Sequence, residues 1–178
     1  MAILANVSAE GRGGTDRLLA KVVDQLQAEG VRISGALRTQ AAQGGPTHCH
    51  SDLWLLPTGP TAKITQDLGA GSTACRMDAG AMEEAVEQVT ARLISDGADL
   101  MVLNKFGLSE AEGRGYRALI VKALSRHVPV LIGVSETHRA AFDEFAEGLA
   151  TTVPPEPSAV LSWCRGAISS APHFAEDA

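Results

Sequence analysis

The strongest constraint on the fold lies in the first twenty residues. The apolar run Ala2-Ile3-Leu4-Ala5-Asn6-Val7 breaks into Ser8-Ala9-Glu10-Gly11-Arg12-Gly13-Gly14-Thr15-Asp16, and an amphipathic stretch follows at once. A strand, a glycine-rich turn and a helix in that order gather backbone N–H groups at a helix N-terminus, which carries roughly half a positive charge. Such a turn suits an anion, phosphate above all. Against the template G-x-x-x-x-G-K-[ST], Gly13 and Thr15 fall in place, Ser8 replaces the first glycine, and Gly14 stands where the lysine belongs. Glu10 and Asp16 flank the turn, with Arg12 as the cation opposing them. The bland alternative is a tight turn that needs positive φ and binds nothing. A dinucleotide fingerprint fits worse, because Asp16 falls where a third small residue belongs and Arg38 where an acid is wanted.

The rest of the chain sets this turn in an α/β domain. Residues 15–29 put Leu18, Leu19, Val22, Val23 and Leu26 on one helical face, and Gly30 ends it. Val31, Ile33 and Leu37 then read as a second strand, completing a parallel crossover unit. Residues 38–51 form a loop or hairpin connection, and two short antiparallel strands are expected at 52–56 and 63–67, separated by Pro57-Thr58-Gly59-Pro60. The parallel rhythm resumes with a helix over 78–96 and a fully apolar strand at 100–103. A helix over 113–126, a strand over 128–134 and a helix over 136–147 N-capped by Ser135 come next. A short strand at 151–153 and a helix around 158–168 close the pattern. The expected fold is a three-layer α/β/α domain with a mostly parallel sheet, spanning 1–153 with an antiparallel insertion at about 38–77. Residues 154–178 form a C-terminal helix and tail.

Composition narrows the function classes. Hydrophobic residues make up 45% of the 178, yet there are one Tyr, four Phe and two Trp, so the core is aliphatic, as suits an α/β sandwich. A net charge of −6 argues against nucleic acid as the principal partner. No apolar run approaches the roughly 18 residues of a membrane span, and no signal peptide is visible. Cys49, Cys75 and Cys164 are too few and too scattered for a disulfide framework. A cytoplasmic protein with a small anionic ligand is expected, and a homo-oligomer or a protein partner stays open.

In a parallel sheet, ligands sit beyond the carboxyl ends of the strands. Three segments should meet there: 8–15, 104–107 and 135–138. Leu100-Met101-Val102-Leu103-Asn104-Lys105 occupies the place of a Walker B strand, four apolar residues and then an acid, but the acid is Asn104. An amide lacks the charge that holds Mg²⁺ through its water shell. Lys105 is either a solvated strand-end lysine or a long side chain that reaches the turn and replaces the missing one. Within the loop 107–115, Glu110 or Glu112 is a candidate to activate water or hold a metal, and Arg114 to meet an anion. The plainer reading has Ser109 or Glu112 starting the next helix. His48, Cys49 and His50 invite a metal reading, with Cys75 and Asp52 as further ligands if the fold brings them close, although no C-x-x-C or H-x₃-H spacing completes a site.

The run Val102-Leu103-Asn104-Lys105-Phe106-Gly107, with Glu110-Ala111-Glu112-Gly113-Arg114-Gly115, resembles the signature of an uncharacterised bacterial domain family. Ile64-Thr65-Gln66-Asp67-Leu68-Gly69 and Cys75-Arg76-Met77-Asp78 are similar to that family's style, and the resemblance covers most of 2–150. Members are often described as nucleotide-binding or molybdenum-transport related. The family in turn resembles the small P-loop nucleoside-triphosphatases, whose strand 1 turn and Walker B strand align with 8–15 and 100–105. The resemblance implies a P-loop fold that lacks both diagnostic charges, at Gly14 and Asn104. No ABC signature sequence is visible.

Two ligands follow from this reading. One is a nucleotide with Mg²⁺, held at Ser8, Gly11, Arg12, Gly13, Gly14, Thr15, Asn104, Lys105 and Arg114 without efficient hydrolysis. The other is a tetrahedral oxyanion, molybdate, tungstate or phosphate, held by neutral donors of the glycine turn with Ser8 and Thr15. A regulatory domain with an empty turn is the third reading. Turnover, if any, would fall to Lys105, Glu110 or Glu112.

Overall fold

A computed structural model of the chain describes residues 3–39, 52–66 and 76–171. Along the chain run β1 (Leu4–Val7), α1 (Gly14–Ala28), β2 (Ile33–Arg38), β3 (Asp52–Leu56), β4 (Thr61–Lys63), β5 (Thr65–Gln66), β6 (Arg76–Met77) and α2 (Ala79–Ser95). They are followed by β7 (Leu100–Phe106), α3 (Leu108–Ala111), α4 (Arg117–Ser125), β8 (Val130–Val134), α5 (Arg139–Ala146), β9 (Ala150–Thr152) and α6 (Pro157–Ser170). Seven strands form one sheet in the order β4-β3-β2-β7-β8-β1-β9. The five strands from β2 to β9 are parallel, while β3 and β4 add an antiparallel hairpin at one edge. β5 and β6 pair separately.

Alternation along the central strands sorts side chains into two cores. Leu100 and Val102 of β7 pack with α1 and α6, through Leu19, Val22, Leu26, Val160 and Cys164. Met101 and Leu103 face the other way, toward Val89 and Leu93 of α2, Ile120 of α4 and Phe142 of α5. Burial on both faces is what a continuous apolar strand demands. The resulting α/β/α sandwich, with its mostly parallel sheet, is the one expected. The five apolar residues read on the α1 face are all buried. The α2 face Met82, Val86, Val89 and Leu93 is buried as well, and the Asp78 carboxylate caps that helix by accepting the Ala81 N–H at 3.1 Å.

Several expected boundaries need correction. The strand expected at 63–67 is split: Lys63 ends β4, Thr65 starts β5 in another sheet, and Ile64 between them drops into the core while its carbonyl accepts from Asp78 N–H. β7 continues past Leu103 to Phe106, so Asn104 and Lys105 belong to the strand rather than to a loop after it. The helix expected over 113–126 starts only at Arg117, because Gly113 and Gly115 have φ of +86° and +62°, outside the helical region. Ser135 is extended but makes no side-chain cap. It precedes a 3-10 turn, Glu136–His138, and α5. No helix among the described residues is long and apolar enough to cross a membrane.

Candidate functional site

β1 delivers the glycine turn to the carboxyl edge of the sheet between β8 and β9. The Ser8 hydroxyl donates to the Val134 carbonyl at 2.9 Å, fastening the start of the turn to the end of β8. Gly11 and Gly13 take φ of +79° and +70°, which a side chain would resist. Gly14 N–H donates to the Gly11 carbonyl at 3.2 Å, and Thr15 Oγ1 accepts the Ala9 N–H at 2.9 Å, closing the loop on itself. No side chain caps α1. The N–H groups of Gly11, Arg12 and Gly13 have no hydrogen bond to another described residue, and the space beside Gly11 is open. Unspent donors therefore gather at the positive end of a 15-residue helix.

Charge at the turn differs from the sequence account. Arg17, which that account left out, donates from its guanidinium to the Arg12 carbonyl at 3.1 Å. The same nitrogen lies 3.1 Å from where a Gly13 Cβ would stand, so it covers the turn from the side of α1. Asp16, read only as a flanking charge, accepts a hydrogen bond from Asn104 Nδ2. This contact joins α1 to β7 across β8, and Gly133 makes it possible. A Cβ on Gly133 would lie 2.4 Å from Asn104 Oδ1 and 2.9 Å from Thr15 Cγ2. Neither Asp16 nor Gly133 announces this in sequence, because the contact depends on strand order.

The expected meeting of three segments is realised. Ser8 fastens the turn to β8, Thr15 lies beside Asn104 across Gly133, Asp16 just past the turn bonds Asn104 of β7, and Ser135 N–H donates to the Phe106 carbonyl at 3.2 Å. Below the turn, Asn6 on β1 accepts from the Arg139 guanidinium and donates to Thr152 Oγ1 at 3.1 Å, tying α5 and β9 to the same strand.

The remaining candidates separate. Lys105 is exposed beside the end of β7 and lines a cavity of about 350 Å³ together with Arg38, Asn104 and Glu110. Desolvation, then the neighbouring Arg38 charge, pull its pKa below the ordinary lysine value, while Asp16 and Glu110 pull it back up. No hydrogen bond ties it to the turn. Glu110 is 2% exposed, and its two carboxylate oxygens accept the Gly107 and Tyr116 N–H groups, each at 2.9 Å. Both oxygens are spent on holding the loop, which makes Glu110 a loop staple. Burial raises its pKa, and these backbone donors oppose that rise. Glu112 and Arg114 pair with each other on the surface, and no hydrogen bond or ion pair among the described residues ties either to the turn. His48, Cys49, His50 and Cys75 lie outside the described residues. Asp52 begins β3. Among the described residues, no three His, Cys, Asp or Glu side chains assemble into a metal-binding group.

Two outcomes follow. Gly133→Ala drives a methyl between Asn104 and Thr15, and should cost about 1–3 kcal/mol of stability in urea titrations. Unchanged stability would mean that the Asn104–Asp16 contact is loose. The second outcome concerns pH. Because burial raises the Glu110 pKa above 4.5, its contribution is full below pH 4.5 and is lost as pH rises through the folded-state value. Glu110→Gln should lower stability by about 1–3 kcal/mol, since one N–H then faces an amide donor. The wild-type decline above pH 4.5 should flatten in this variant. Parallel pH profiles for the two proteins would contradict the assignment.

Residues 4–163 match the family described as "Protein of unknown function (DUF2478)". The chain is also 33% identical over 162 residues to a Bradyrhizobium diazoefficiens protein named "Molybdenum import ATP-binding protein ModC 2". That alignment covers 91% of this chain and 18% of the relative, so the chain spans less than a fifth of the relative's length. Among solved structures, the chain is similar to THEP1 from the hyperthermophile Aquifex aeolicus, with a TM-score of 0.60 at 14% identity, over 94% of this chain and 98% of that one. The likeness is one of fold, the α/β architecture of the P-loop nucleoside-triphosphatases. The chain belongs to the DUF2478 family and carries a P-loop NTPase-like fold.

Proposed function

We propose that the chain binds the phosphate groups of a nucleotide at the turn 8–15 and hydrolyses them slowly or not at all. The observation that carries this reading is that the N–H groups of Gly11, Arg12 and Gly13, just before α1, have no hydrogen-bond partner among the described residues, with open space beside Gly11. The name of the Bradyrhizobium relative, an ATP-binding protein, supports it. Arg12 and Arg17 supply the positive charge that a lysine at position 14 would otherwise bring. Arginine is a strong partner for phosphate oxygen.

Mg²⁺ fits the residues present. Thr15 Oγ1 and the Asp16 carboxylate are hard oxygen donors on the first turn of α1. Asn104 Oδ1 is buried with no partner among the described residues, beside Thr15, at the position where a Walker B acid would stand. One carboxylate plus neutral oxygens is a usual protein share for this ion, with substrate phosphates completing the set. When bound, the ion would neutralise phosphate charge. Asp16 would lie close to that ion, held in place by the Asn104 amide.

A second reading, a bare tetrahedral oxyanion, is favoured by one observation: the relative's name concerns molybdenum import. Neutral donors of the same turn would serve it.

A ligand panel separates these. ATP with Mg²⁺ should raise the melting temperature in a concentration-dependent way, and molybdate should not. No shift from either at millimolar concentration would end both readings. Gly14→Lys tests the charge account directly. A Cβ there meets Ala9 at 3.4 Å, an ordinary contact, so the lysine has room at its root. It should tighten ATP binding by about ten- to a hundredfold, as expected of a charge-assisted contact of roughly 1.5–3 kcal/mol. Arg17→Ala should weaken binding by a similar factor. Calorimetric affinities unmoved in both variants would refute the account.

A further inference from the structure

The cavity beside the end of β7 is separate from the turn and has its own chemistry. Its floor and walls are apolar, formed by Leu53 of β3, Ile64 and Met82. Its mouth carries Leu108 and Met77, which are 57% and 40% exposed. Two cations, Arg38 at the end of β2 and Lys105, stand at the sheet edge of the same space. No residue from 8 to 15 lines it.

Buried polar atoms point to the same place. Tyr116 is 1% exposed, and its hydroxyl has no hydrogen-bond partner among the described residues. The hydroxyl of Thr65, also in the cavity wall, is buried and has no partner among the described residues. A buried hydroxyl with no partner costs about 1–3 kcal/mol, and a ligand that supplies the missing bond recovers that cost. At about 350 Å³ the space is at the lower end of small-molecule sites, enough for a bicyclic ring.

We infer that this cavity is a second ligand site, which takes a small organic anion. The apolar body of the ligand lies against Leu53, Ile64 and Met82. Its carboxylate or phosphate end meets Arg38 and Lys105, and a polar atom on its body satisfies Tyr116. The turn and the cavity adjoin at Asn104, which lines the cavity and donates to Asp16 of α1. The inference stands apart from the reading of the turn, and the two can fail separately.

Naphthoate is a suitable probe, with naphthalene carboxamide as its neutral isostere, and binding is read by calorimetry on the full chain. Naphthoate should bind saturably, and the carboxamide about tenfold more weakly. Arg38→Gln should weaken naphthoate about tenfold. So should Leu108→Glu, an exposed position where the fold is not at stake and where the new charge repels the anion at the mouth. Both variants should keep the wild-type melting shift with ATP and Mg²⁺. The inference is overturned if naphthoate does not bind, or if both variants bind it as the wild type does. Competitive displacement by ATP would also overturn it, because the cavity would then belong to the nucleotide. If ATP fails to bind while naphthoate binding stays sensitive to the variants, the reading of the turn falls and this one stands.

Discussion

Asn104 lies on β7 and Asp16 on α1, the helix that follows β1, and the candidate site depends on their meeting. β7 and β1 are separated by β8, so a side chain on β7 must cross a strand to reach the turn. Gly133 leaves that crossing open, since a methyl group there would collide with both Asn104 and Thr15. Once Asn104 donates to Asp16, the first turn of α1 is fixed relative to the end of β7. Ser8 fixes the other end of the turn to β8. The turn is thus held at both ends while its middle N–H groups stay unspent, the condition for a preformed anion site.

Much of the scaffold was legible because it rests on local pattern. The α1 face, the strand β3 and the double burial of β7 each follow from residue spacing, and each is found where that spacing puts it. Boundaries failed where a long-range contact overrode the pattern. Helix α4 starts late because Glu110 captures the Tyr116 N–H and two glycines adopt positive φ before it. The strand at 63–67 divides because Ile64 is worth more in the core than in a ladder.

The site was legible in its turn and illegible in its partners. Glycines at 11, 13 and 14 announce a turn, but nothing in the chain announces that Arg17 folds back over it, or that Asp16 pairs with an amide 88 positions away. Glu110 shows the opposite hazard. A carboxylate in a polar loop near a strand end invites a chemical role, yet both of its oxygens are committed to backbone N–H groups. Titratable residues read from sequence carry no information about how many of their lone pairs are already taken.

The two missing charges belong to one electrostatic argument. A lysine in the turn and an acid at the end of β7 are opposite charges that face the same ligand, one holding phosphate and the other holding the metal. Removing only the lysine would leave the acid beside phosphate with less to oppose it. Removing only the acid would leave a cation beside α1 with its metal less well held. Here both positions are neutral, Gly14 and Asn104, while an acid and a guanidinium lie two and three residues beyond position 14 along α1: Asp16 beside Asn104 and Arg17 over Gly13. Charges on the first turn of the helix act through the rim of the site. Charge at the rim attracts and retains an anion, whereas transfer needs charge aimed at the group that moves. On the proposed reading, the arrangement favours retention over turnover.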